Sequence, residues 1–221
     1  MASQTKNFIS FVALGRPNPQ ILNIDFLRNN RILPRENEPN NKNSEQEKNV
    51  KKFVSVPGYA NLVLENIEFI VDEGRFQITE RSISEWNETK ILQIAKRYFK
   101  VLPYTPLKVI GVNLNSTISF KNPEEAGRFQ ELLLPKDHLL AKIISVDTIT
   151  SSIVLRYPYD TQKGRAMLTI DQPDRENKRR IINFNREFDF TNWKAFDSEL
   201  DKISDVSTSA DLIVDKLLKA L

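Results

Sequence analysis

Residues able to carry chemistry are few in this chain, and their types narrow the reactions open to it. His138, in Pro135-Lys-Asp-His-Leu139, is the only histidine, and there is no cysteine. A thiol nucleophile, a thiolate metal site and a two-imidazole acid–base pair are therefore excluded. As a base, His138 would have only the adjacent Asp137 to orient it. As a metal ligand it could draw only on carboxylates, a set suited to Mg²⁺ or Ca²⁺. A lone histidine between a helix and a strand reads as a cap or a surface residue.

A carboxylate–Mg²⁺ hydrolase needs an Asp on one strand and Glu-x-Lys on the next. Asp160 with Glu176-Asn-Lys178 has the order and the spacing. Glu176, however, lies in Asp174-Arg-Glu-Asn-Lys-Arg-Arg180, a polar turn, and an antiparallel meander is the wrong setting. Glu199-Leu-Asp201-Lys202 falls on an amphipathic helical stripe, where charges form a solvated face. Six glycines supply no phosphate-cradling loop, and no Gly-x-Ser-x-Gly elbow is present. The expectation is no catalytic residue, no metal and no cofactor.

Binding chemistry is better represented. Arg175, Lys178, Arg179 and Arg180 are the densest basic cluster, with Lys163 and Arg165 in the preceding turn. They are the candidate anion or nucleic-acid contacts, although Asp174 and Glu176 dilute them. Lys96, Arg97 and Lys100 lie beside Tyr98 and Phe99 in a second cluster. The rigid Leu102-Pro-Tyr-Thr-Pro106 reads as a helix-to-strand corner.

These residues need elements to hold them. Pro19–Leu27 alternates as a strand. Residues 35–52 are polar apart from Val50 and form a surface loop, with too little apolar surface to offset ordering. Asn61–Glu65, Glu68–Asp72 and Arg75–Thr79 form a meander in which Gly74 supplies a positive φ. Ile91, Ile94, Ala95, Tyr98, Phe99 and Leu102 make one helical stripe, ended by Pro103 and Pro106.

Leu107–Asn115 is a strand that continues past a bulge to Phe120. Asn122-Pro-Glu-Glu125 starts a helix that runs to Leu134. Leu140–Thr148, Ser152–Tyr157, Arg165–Ile170 and Arg179–Asn185 form a second meander. Trp193, Phe196, Leu200 and Ile203 make a further helical stripe. After a break at Ser204–Ser209, Ala210, Ile213, Val214, Leu217, Leu218 and Leu221 make another.

The fold class is α+β: antiparallel meanders covered by segregated helices, in two loosely similar halves, with a C-terminal amphipathic helix. The 221 residues read as one domain, with a subdivision into 1–120 and 121–221. Such a chain buries roughly 70% of its unfolded surface and needs no staple. Charge is balanced, 32 basic against 29 acidic residues, which is not the footprint of a dedicated nucleic-acid binder. No stretch approaches the ~18 apolar residues of a membrane helix, and no leader is evident. Abundant Asn, Lys and Ile point to a bacterial or phage gene.

The reading is a non-enzymatic binding or scaffold subunit of a bacterial cytoplasmic complex. It engages a protein partner or a second copy, with Leu217, Leu218 and Leu221 as candidate interface. A nucleic-acid accessory protein using the basic turn is the alternative, and the hydrolase is third.

Overall fold

Short runs alternating β-branched and aromatic residues with polar ones recur along the chain, and they pair into one sheet. The computed structural model describes residues 2–33, 50–133, 152–159, 164–171, 178–190, 196 and 210–219. Its strands are β1 (Ser3–Gly15), β2 (Lys52–Val56), β3 (Tyr59–Val63), β4 (Ile67–Asp72), β5 (Arg75–Arg81), β6 (Leu107–Ser119), β7 (Ser152–Tyr159), β8 (Gly164–Asp171) and β9 (Arg179–Asp189). Its helices are α1 (Ile24–Asn29), α2 (Ile91–Val101), α3 (Pro123–Leu133) and α4, residues 210–219. Every pairing of the described strands is antiparallel, in the order β2-β3-β4-β5-β1-β6-β9-β8-β7.

The centre of the sheet is the seam between the two longest strands, β1 and β6. Their register runs from Ser3↔Ser119 to Gly15↔Leu107. Each then leads into a helix and a meander whose last strand returns beside it: β5 to β1, and β9 to β6. The α+β class with an antiparallel sheet is thus the architecture.

Period-two alternation divides the sheet into two faces. On one face Ile9, Phe11, Ala13, Phe76, Ile78, Ile110, Val112, Leu114, Leu168, Ile182 and Phe184 are buried. α1, α2, α3 and α4 pack there. The apolar stripe of α2 behaves as its spacing predicts, with Ile91, Ile94, Ala95, Tyr98 and Phe99 buried. Its rings meet those of the sheet: Tyr98 lies 4.2 Å and Phe99 4.9 Å from Phe76, between centroids. Phe26 of α1 meets Tyr98 edge-on at 5.8 Å. Phe129 of α3 packs 5.3 Å from Phe120, and Ala210 and Val214 of α4 are buried in the same core.

Several local expectations are corrected. Pro19–Leu27 is not a strand but a 3₁₀ turn, Pro19–Ile21, followed by α1. Two asparagines cause this. Asn18 accepts from the Gln20 amide at 3.0 Å, and Asn23 accepts from the Phe26 amide at 2.7 Å; each caps a helical start. The polar block 35–52 ends earlier than expected, because Lys52 opens β2; residues 35–49 lie outside the described residues.

Gly74 does not take a positive φ. The Asp72 carboxylate instead accepts its amide at 2.9 Å and closes the β4–β5 turn. The left-handed glycine is Gly58, at φ +81°, after Pro57 in the β2–β3 turn. The strand β1 fills a region in which no element is predicted. The predicted strand Leu140–Thr148 and most of the Trp193–Ile203 stripe lie outside the described residues.

Candidate binding face

The second face of the sheet carries no described helix. Register assigns it Phe8, Ser10 and Val12 from β1, Gln77 and Thr79 from β5, and Asn113, Asn115 and Thr117 from β6. Asn183 and Asn185 come from β9 and Thr169 from β8. Its centre is lined by amides and hydroxyls.

Two Asn-x-Asn pairs generate this surface. Asn113 and Asn115 are two apart in β6 and so point the same way; Asn183 and Asn185 do the same in β9. The register sets Asn113 against Asn185 and Asn115 against Asn183. Each pair hydrogen-bonds across the strands: Asn185 donates to Asn113, and Asn115 donates to Asn183.

The ladder then crosses the β1–β6 seam. The Asn113 amide donates to Ser10 Oγ at 3.2 Å. A bulge at Asn7 breaks the alternation of β1, and its amide donates to Asn115 Oδ1 at 2.6 Å and to Thr117 Oγ1 at 2.9 Å. On β5, Gln77 donates to Thr79 at 3.0 Å. Ser10 and Asn115 are only 2% and 8% exposed, so the ladder is tightly packed and its amides hold fixed directions. Each amide and hydroxyl has more donor and acceptor capacity than these bonds use.

Charge on this face is balanced and sits toward the strand ends. Lys52, Arg75, Arg81 and Arg179 share it with Glu68, Asp72, Asp171, Glu187 and Asp189. Arg75 pairs with Asp72 at 3.2 Å and Arg81 with Glu68 at 3.1 Å. Such a face offers directional hydrogen bonds and apolar patches around Val12 and Phe8. Among the described residues, charges of both signs alternate on it.

The basic cluster is divided between the faces. Lys178 and Arg179 are exposed at the start of β9. Arg180, one residue on, points into the helix-covered side and is 2% exposed. Its guanidinium donates to the carbonyls of Arg179, at 2.9 Å, and Ala126, at 3.5 Å. Period two in a strand makes this unavoidable for neighbours such as Arg179 and Arg180. Arg175 lies outside the described residues, as do His138, Asp137, Asp160 and Glu176. Leu217 and Leu218 are partly buried against the core at the end of α4; Leu221 lies outside the described residues.

The amide ladder went unread in the sequence, although its signal is there. Val112-Asn-Leu-Asn115 and Asn183-Phe-Asn185 each alternate asparagine with a core residue. What cannot be read locally is that the two segments are partners. No protein-family model matches this chain, and no curated protein matches it.

Proposed function

We propose that this is a non-enzymatic binding protein, a subunit of a bacterial cytoplasmic complex, and that it docks a protein partner on the open face of its sheet. The observation that carries the reading is the Asn7–Asn113–Asn115–Asn183–Asn185 ladder in the middle of that face. A protein surface presents a mixture of backbone polar groups and apolar side chains. Fixed amides flanked by Phe8, Val12 and paired charges complement that mixture. A rigid sheet also loses little entropy on docking. The reading takes the two meanders as loosely similar halves about the β1–β6 seam, with α4 as an amphipathic helix sealing the covered side.

The test is quantitative affinity purification of the wild type beside Asn183→Arg/Asn185→Arg, both verified as folded by thermal melting. Partners lost from the variant alone support the reading. An unchanged partner set removes the face from it.

Lys178 and Arg179 favour a second reading, nucleic-acid contact at one end of β9. Binding of that kind weakens steeply as salt rises, and changing both residues to alanine flattens the salt slope. Absence of any DNA or RNA binding at low salt eliminates it.

A further inference from the structure

We infer that the β2 edge of the sheet is a self-association surface, on which a second copy of this chain adds its own β2 antiparallel. This is independent of the open-face reading. Among the described strands β2 ends the sheet and pairs only with β3, so its outer backbone groups are turned away from any of them. Its side chains are unusual for an edge that faces water: Phe53 is 47% and Val56 49% exposed, with Val50 beside them at 40%. The opposite edge differs, because β7 contains Pro158, a residue that blunts strand addition.

Charge selects the occupant. Lysines commonly protect an edge, but here Lys51 and Lys52 stand at one end of β2 only, and Lys51 is paired with Glu65 at 2.7 Å, so Lys52 is the cation at issue. At the other end the acidic Glu73 lies against Gly58 of the β2–β3 turn, with its carboxylate 3.1 Å from where a side chain on Gly58 would begin. A two-fold axis perpendicular to the sheet and centred on Val54 aligns two β2 strands antiparallel. Lys52 of each copy then faces Val56 of the other, and the lysine end of each meets the Glu73 end of its partner.

The same alignment places Phe53 opposite Ser55 and Val54 opposite Val54, covering the exposed apolar residues. It also keeps both helix-covered faces on the same side. A parallel addition would set lysine beside lysine, so the edge is complementary to itself in one direction only.

Sedimentation velocity and light scattering on the full chain test this directly. The wild type should be a dimer that dissociates on dilution. Phe53→Lys/Val56→Lys should be monomeric with its thermal unfolding retained. Lys52→Glu should weaken the dimer about tenfold, since two exposed ion pairs are lost at once, and Lys52→Glu/Glu73→Lys should restore it. Hydrogen exchange supplies a second measurement: β2 amides should be slow in the dimer and fast on dilution. A wild type that stays monomeric overturns the inference. So does a dimer indifferent to these substitutions, or a β2 edge protected only when a different protein is added.

Discussion

At the scale of single residues, two side chains on the helix-covered side of the sheet report on the fold with opposite signs. Tyr98 is buried among Phe26, Phe76 and Phe99, and its hydroxyl has no hydrogen-bond partner among the described residues. Desolvation raises its pKa well above the usual tyrosine range. An unmade buried hydrogen bond costs about 1–3 kcal/mol, so Tyr98→Phe should stabilise the protein by about 1 kcal/mol in urea unfolding. A loss of that size would show that the hydroxyl is bonded.

Lys6 behaves otherwise. Burial disfavours its ammonium, but Glu85 and Asp211, the latter at 3.2 Å, outweigh that and hold its pKa above 10.5. Because the folded pKa is raised, the stabilisation is fully present below the unfolded value. It is lost as pH climbs through the folded one. The wild type should therefore lose its advantage over Lys6→Met above about pH 10.5, while the difference stays flat through neutrality. A difference that grows with alkalinity would contradict the ion-pair assignment.

At the scale of elements, α2 is held by a contact that its own sequence does not contain. Its first residue is preceded by Lys90, which provides no side-chain cap. Glu80 of β5 supplies one instead: its carboxylate accepts from the Lys90 amide at 3.1 Å and the Thr89 hydroxyl at 2.7 Å. Glu80→Ala should cost about 1–2 kcal/mol, the value of a lost cap, while Glu80→Gln should recover part of it. Equal stability of all three proteins would show that the contact contributes nothing.

The stripe of α2 was legible because 3.6 periodicity is a local property, and so were the strands from Asn61 to Thr79. The segment Pro19–Leu27 misled because its alternation is short, whereas the Asn18 and Asn23 caps are equally local signals and point to helical turns. β1 is harder to read. Its asparagine bulge interrupts the alternation between Lys6 and Phe8, so neither face shows an unbroken period of two.

At the scale of the whole molecule, strand order is the property that sequence could not disclose. Two meanders are visible along the chain, but nothing local states that β1 and β6 join them edge to edge into one sheet. The candidate site depends on that joining. Asn7 and Ser10 come from β1, and Asn113, Asn115, Asn183 and Asn185 from β6 and β9, so the full ladder forms only across the seam. The basic turn was conspicuous as a run of cations, yet the pleat sends Arg179 and Arg180 to opposite faces.

Gly15 shows how tightly the seam is closed. A side-chain carbon there would fall 2.0 Å from the Pro106 carbonyl oxygen, so Gly15→Ala should disrupt the β1–β6 end and lower the melting temperature markedly. A melting temperature equal to the wild type's would show that the strand ends can part freely.

Docking of a protein partner on the sheet face without a described helix is put to the test most directly by partner capture with the Asn183→Arg/Asn185→Arg variant. The folded variant should lose specific protein partners retained by the wild type, with no nucleic acid accompanying either. A folded variant that retains every partner of the wild type would contradict it.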